Sequence, residues 1–191
     1  MNSIAFVLAT RELFVTGRAA AAEPAGAVAE PRVIHELRRL GWPAEARLIG
    51  PKLGPQLGAE AAGEAVPGVL VELLDACLDG RERLDVLCVE GALLRGPNGT
   101  GRYHLMAGTG LPMTHWVSRL AAVAQQVVAV GSCAAWGGIS AAGANPTEAC
   151  GLQYEDDRIG GLLGAAFRAK SGLPVINVAG CPTHPGWVVD T

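Results

Sequence analysis

Three short apolar segments, each closely followed by a glycine, constrain the fold of this chain more than any other feature of its sequence. These predicted strands are residues 84–89, 127–130 and 175–178. Apolar residues that recur every three or four positions predict a helix before each of them, over residues 69–78, 114–124 and 161–169. Short apolar strands that alternate with helices are typical of a parallel sheet with right-handed crossovers. We therefore predict an α/β fold with a mostly parallel sheet.

The amino-terminal part of the chain is less regular than the rest. Residues 1–67 include seven alanines between Ala19 and Ala29, together with scattered glycine and proline. The elements predicted there are a strand at 4–8, a short helix at 33–40 and a strand at 47–49. We expect residues 1–67 to supply the first strand and helix, and residues 68–191 to form the regular α/β domain.

Composition and charge exclude several classes of protein. The 191 residues fit one ordinary domain, and a net charge of -3 argues against nucleic-acid binding, which favours a basic face. The mean hydropathy is +0.29, but residues 117–130, the most apolar region, are interrupted by Arg119, Gln125 and Gln126. We therefore expect no membrane span. Because the amino terminus has no convincing signal peptide, we expect a cytoplasmic location.

The five cysteines are an odd number for a disulfide framework, which a reducing compartment also disfavours. Cys133 and Cys181 lie just beyond a glycine at the ends of two predicted strands. Because neighbouring strands lie about 4.8 Å apart, we expect these two thiols within about 5–10 Å of each other. Topology alone leaves two interpretations open, iron–sulfur ligands or small buried hydrophobic residues. The other cysteines are expected to be buried: Cys77, Cys88 and Cys150.

The glycine-rich segment at residues 96–101 is similar to a phosphate-binding loop, but the residues after it do not fit one. Arg102 stands where lysine is expected, and Tyr103 stands where serine or threonine is expected. No helix start follows to supply backbone N–H groups. We therefore predict no nucleotide site, and we find no Ser-His-Asp arrangement for His104 or His184.

Four ordered motifs resemble the small subunit of nickel–iron hydrogenases. They are Val89-Glu90-Gly91-Ala92, Gly131-Ser132-Cys133-Ala134 followed by Gly137-Gly138-Ile139, Asn145-Pro146-Thr147, and Gly180-Cys181-Pro182. Within that family, residues 88–110 and 151–154 look most like the regulatory, hydrogen-sensing type. The resemblance covers about residues 68–191 and indicates the amino-terminal part of such a subunit, truncated here.

The resemblance implies a flavodoxin-like three-layer fold and an incomplete cluster-binding domain over residues 68–191. It implies that Cys133 and Cys181 are two of the four ligands of the proximal [4Fe–4S] cluster. Glu90 is then expected near the cluster as an interface or proton-path residue, with a solvated strand-end carboxylate as the alternative. The implied partners are a large subunit that carries the nickel–iron site and a signalling kinase. The chain is thus expected to transfer electrons, and the catalytic metal lies on another chain.

The sequence departs from the family where the other two ligands are expected. The family has a Cys-x-x-Cys pair after the first strand, whereas residues 9–12 are Ala-Thr-Arg-Glu and no cysteine precedes Cys77. We therefore expect a truncated or altered product in which the cluster is doubtful. Two alternatives stay open. One is the related 20 kDa cluster-bearing subunit of NADH:quinone oxidoreductase, and the other is a cluster-free flavodoxin-like module that binds a partner.

Overall fold

A six-stranded sheet forms the centre of the part of the chain that the structure describes. The computed structural model describes residues 4–9, 13–16, 46–49, 65–106 and 109–191. Its strands are β1 (Ile4–Ala9), β2 (Leu13–Thr16), β3 (Ala46–Ile49), β4 (Leu84–Glu90), β5 (Leu93–Leu94), β6 (Gln126–Val130), β7 (Ala149–Cys150), β8 (Tyr154–Glu155), β9 (Arg158–Ile159) and β10 (Ile176–Val178). The order in the central sheet is β10-β6-β4-β1-β2-β3, and β5-β7 and β8-β9 form two small antiparallel pairs.

The central sheet is mostly parallel. Strand β4 pairs in parallel with β1 on one side and β6 on the other, and β6 pairs in parallel with β10. Strands β2 and β3 extend the sheet beyond β1 in antiparallel orientation. The predicted α/β fold of the flavodoxin-like type, with a mostly parallel sheet, is therefore confirmed.

The helices pack an apolar core against this sheet. They are α1 (Ala65–Leu78), α2 (Met113–Val123), α3 (Gly131–Trp136), α4 (Gly138–Ala141) and α5 (Pro185–Val189). Helix α2 is amphipathic. Its residues Trp116, Val117 and Leu120 fall on one face and are at most 3% exposed. They join Leu87 of β4 and Val127 of β6 in the core. Burial of each such side chain contributes about 1.5–3 kcal/mol.

Most of the predicted elements are present with small shifts of their bounds. The strands predicted at 84–89, 127–130 and 175–178 correspond to β4, β6 and β10, each displaced at one end by one residue. The strands predicted in the amino-terminal part correspond to β1 and β3, and two of the helices correspond to α1 and α2. The helix predicted at 33–40 lies outside the described residues.

The helix predicted over residues 161–169 is wrong, because the chain forms turns there. The side-chain amide of Gln153 donates to the carbonyl oxygens of Gly164, Ala165 and Phe167 at 3.4, 3.2 and 3.1 Å. Gly161 and Gly164 also have left-handed backbone angles, with φ of 57° and 80°. A buried side chain and two left-handed glycines therefore replace the helical hydrogen bonds of this segment.

Two further observations concern the organisation of the chain. Within the described ranges, no helix has the length and apolar character needed to cross a membrane. Strand β1, from the segment 1–67, pairs with β4 from the segment 68–191, so that both parts contribute to one sheet. The domain boundary at residue 67 stays a prediction.

Candidate functional site

The last paired residues of four parallel strands lie in one row, which defines the edge of the sheet where the predicted site lies. The strand registers align Ala9 with Glu90, Glu90 with Val130, and Val130 with Val178. Because these four strands are parallel, the chain leaves the sheet at the same edge after each of them. Cys133 lies three residues beyond Val130, and Cys181 lies three residues beyond Val178. The two cysteines therefore occupy equivalent positions at the ends of adjacent strands.

Direct hydrogen bonds join the two turns that carry these cysteines. The backbone N–H of Ser132 donates to the carbonyl oxygen of Gly180 at 2.9 Å. The backbone N–H of Gly180 donates in return to the hydroxyl oxygen of Ser132 at 3.3 Å. Cys133 and Cys181 are the next residue in each turn, so these bonds hold the two cysteine-bearing turns together.

Cys133 lies half-buried in the short helix α3 and is covered by the start of α4. Helix α3 ends at Trp136 and is capped by Gly137, whose φ of 97° is left-handed and whose N–H donates to the carbonyl oxygen of Cys133 at 2.8 Å. A Cβ atom added to Gly138 would lie only 2.6 Å from Cys133 Sγ. Gly138 therefore leaves the space that the thiol occupies, whereas Cys181 is exposed.

The remaining three cysteines have raised pKa values because their thiols are buried. Burial, reinforced by the nearby Glu82 carboxylate, raises the pKa of Cys77 to about 11. Burial also raises the pKa of Cys88, within β4, to about 12. Burial raises the pKa of Cys150 to about 11, although Arg95 opposes the shift, and the thiol of Cys150 donates to the carbonyl oxygen of Leu93 at 3.7 Å. Burial therefore disfavours the thiolate form of all three cysteines, and ligation requires a thiolate.

Glu90 ends β4 in the aligned row and its side chain is exposed. In the register Glu90 pairs with Val130, and Val130 precedes Cys133 by three residues in the chain. Its role at an interface or in a proton path stays a prediction.

The glycine-rich loop at residues 96–101 holds a carboxylate of the protein itself. The backbone N–H groups of Asn98 and Gly99 donate to the two carboxylate oxygens of Glu148, at 2.6 and 2.9 Å. Successive N–H groups of this kind form an anion-binding nest. The loop therefore serves as an internal brace, which ties it to the Asn145-Pro146-Thr147 motif that precedes Glu148.

The number of thiols at this edge decides whether the chain alone could hold the implied iron–sulfur cluster. A [4Fe–4S] cluster is usually held by four thiolates, whereas Cys133 and Cys181 are the two thiols at this edge. Among the residues that the structure describes, no group of three or more His, Cys, Asp or Glu side chains is arranged to hold a metal ion. The residues present do not fit a four-thiolate cluster, and they define no electron-transfer step through one.

The sequence motifs include Ser132 and Gly138 without giving either residue a role, and no motif includes Glu148. The motif places Ser132 between a strand-end glycine and a cysteine, but its bond to Gly180, 48 residues away, has no local sequence signal. A pair of glycines soon after the cysteine was the signal for Gly138. Glu148 pairs with a loop 50 residues away, and no local pattern indicates that contact.

Comparison with known proteins shows a consistent set of relatives. The family model "NADH ubiquinone oxidoreductase, 20 Kd subunit" matches residues 51–191. The F420 non-reducing hydrogenase II small subunit of Methanosarcina mazei is 37% identical over 117 residues, and the match covers 56% of this chain and 27% of that protein. The hydrogenase-2 small chain of Escherichia coli is 37% identical over 100 residues, which are 52% of this chain and 22% of that protein.

Solved structures give the same result. The actinobacterial-type NiFe-hydrogenase from Ralstonia eutropha H16 has a TM-score of 0.52 and 34% identity, over 62% of this chain and 34% of that chain. The Ni-Fe-Se hydrogenase from Desulfomicrobium baculatum has a TM-score of 0.50 and 29% identity, over 64% of this chain and 42% of that chain. The chain spans about a quarter of the length of the two curated relatives above.

Proposed function

We propose that this chain, which belongs to the family of the NADH ubiquinone oxidoreductase 20 Kd subunit, acts as a hydrogenase small subunit that binds a large subunit with a nickel–iron site. The family description suits both this role and the alternative in NADH:quinone oxidoreductase. The two curated relatives are hydrogenase small subunits, which favours the hydrogenase assembly. The likeness of residues 88–110 and 151–154 to the regulatory type extends the proposal to hydrogen sensing, with a signalling kinase as a further partner.

The observation that carries this proposal is the equivalent placement of Cys133 and Cys181 at one edge of the parallel sheet. The registers put both cysteines three residues beyond a paired valine, and Ser132 and Gly180 are joined by two hydrogen bonds. A pair of thiols held at strand ends suits a site that a second chain approaches, because the edge gathers the loops of the sheet.

Exposed apolar side chains beside the cysteines support the binding of a partner. Ile139 directly follows Gly138, which lies against Cys133, and its side chain is 85% exposed. Trp187, in the helix that follows Cys181, is 55% exposed. An exposed large apolar side chain contributes favourable free energy when a partner buries it. Covering them would contribute to the affinity for the large subunit.

A second candidate function follows from the incomplete donor set. With two thiols at the edge, the chain would serve as a cluster-free module that binds its partner through the same surface. This candidate differs from the first in its chemistry, since it predicts no bound iron or sulfide.

Anaerobic co-expression with an affinity-tagged nickel–iron large subunit from the same organism tests the proposal. We expect the chain to co-purify with the tagged subunit, and absorbance at about 400 nm after iron and sulfide reconstitution of the complex is the readout for a bound cluster. Cys133→Ser should abolish that absorbance. Cys77→Ala serves as the control, because its thiol is buried in α1.

The outcomes separate the two functions. A complex whose absorbance depends on Cys133 supports a cluster-bearing small subunit, whereas a stable complex with no such absorbance supports the cluster-free module. Failure of the chain to bind the large subunit would overturn both.

A further inference from the structure

We infer that Ser132 is a positioning residue that sets the separation of the Cys133 and Cys181 thiols. The inference rests on the proposed function, because it takes these two thiols as the pair that the edge presents. Ser132 itself offers no thiol or carboxylate. Its effect is exerted through the geometry of the two turns.

Ser132 contacts the second turn with both its backbone and its side chain. Its N–H donates to the Gly180 carbonyl oxygen at 2.9 Å, and its hydroxyl oxygen accepts from the Gly180 N–H at 3.3 Å. A single hydrogen bond fixes a distance but leaves rotation about it. Two bonds between the same pair of residues also restrict that rotation, and hence the directions in which Cys133 and Cys181 leave the turns.

The neighbouring residues of the two turns do not make the side-chain link that Ser132 makes. The Thr183 hydroxyl also donates to the Gly180 carbonyl oxygen, at 3.4 Å, but Thr183 belongs to the same turn as Gly180. Gly131 permits the close approach, because a Cβ atom there would lie 3.3 Å from the Gly180 carbonyl oxygen and 3.2 Å from Thr183 Oγ1. The Ser132 hydroxyl is thus the side-chain group that links the turn of Cys133 to the turn of Cys181.

Removing the hydroxyl should loosen the pair of thiols without unfolding the chain. The backbone bond from Ser132 to Gly180 does not depend on the side chain, and β6 and β10 stay paired through their own register. The Gly180 N–H loses its acceptor, and the two turns gain freedom to rotate. The separation of the thiols should therefore broaden while the stability of the sheet changes little.

Dithiol cross-linking of the metal-free full chain tests this inference. Bis-methanethiosulfonate reagents of graded length identify the shortest one that links Cys133 to Cys181, with the linked peptides identified by mass spectrometry. The variants compared are Ser132→Thr and Ser132→Val, which have the same shape and differ in the hydroxyl. We expect Ser132→Val to lower the initial rate of cross-linking by that reagent about fivefold relative to Ser132→Thr.

Two controls show whether the cross-linking rate reports the separation of the thiols rather than their reactivity or the stability of the fold. Alkylation rates of Cys133 and Cys181 by a single-thiol reagent, and the unfolding midpoint, should agree between the two variants, and Ser132→Thr should match the wild type. Equal cross-linking by the threonine and valine variants would overturn the inference, as would failure of the short reagents to link the wild-type pair. Because no large subunit or cluster is present, this result is independent of whether the proposed complex forms.

Discussion

Replacing Gln153 with leucine lowers the free energy of unfolding by about 3 kcal/mol. Gln153 is 2% exposed, and its amide group donates to three carbonyl oxygens between residues 164 and 167. Its carbonyl oxygen accepts from the Val175 N–H at 2.9 Å. Leucine has a similar size but can replace none of these bonds, so the buried Val175 N–H loses its acceptor. Urea unfolding followed by circular dichroism measures the change.

The same substitution at Gln126 is the matched control. Its side-chain oxygen is buried, and within the described part of the chain it has no hydrogen-bond partner. Removing an unsatisfied buried oxygen costs little or stabilises the fold. Gln126→Leu should therefore leave the free energy of unfolding within about 1 kcal/mol of the wild type or raise it. Equal losses in both variants would mean that the bonds of Gln153 do not organise residues 161–175.

Replacing Gly138 with alanine should disturb both the stability of the chain and the thiol of Cys133. The φ of Gly138 is +56°, which costs an alanine about 1–2 kcal/mol. The added Cβ atom would also lie 2.6 Å from Cys133 Sγ and 3.0 Å from Cys133 Cα. Relief of this contact requires α4 or the thiol to move. We expect a total loss of about 2–3 kcal/mol and faster alkylation of Cys133 by iodoacetamide.

Gly143 provides the control for backbone strain. Its φ is +69°, but a Cβ atom there meets nothing within 4 Å. Gly143→Ala should therefore cost about 1–2 kcal/mol and leave the alkylation rate of Cys133 unchanged, as followed by mass spectrometry of the Cys133 peptide. If the two variants alkylated Cys133 at the same rate, Gly138 would have no specific role beside the thiol.

The fold was largely predictable because the parallel strands are short and mostly apolar, although Asp85, Gln126 and Asn177 lie within them. Strands β4, β6 and β10 follow from that pattern, and helix α2 follows from its apolar face. The segment 161–169 was not predictable in the same way. Its apolar residues occur at helical spacing, but its carbonyl groups bond to Gln153, which is distant in sequence. Local periodicity carries no information about such a partner.

The site was predictable only in its general location. Glycine and cysteine after two strands indicate the edge, and the register shows that the strands before Cys133 and Cys181 are adjacent and end at the same level. The links that hold them depend on contacts between distant segments, such as the Ser132–Gly180 pair, 48 residues apart. The brace of Glu148 on the glycine-rich loop is of the same kind. A sequence motif names the residues but does not give these pairings.

The affinity of the chain for a nickel–iron large subunit, measured for two matched surface variants, tests the central claim most directly. Ile139 lies beside the thiol-bearing edge and is 85% exposed, whereas Ile159 in β9 is 58% exposed. Glutamate at either position should leave the fold intact because both side chains face solvent. We predict that Ile139→Glu weakens binding to the large subunit at least about tenfold, through the burial of a charge, while Ile159→Glu binds as the wild type does. Equal affinity of the wild type and Ile139→Glu would contradict the placement of the partner at this edge.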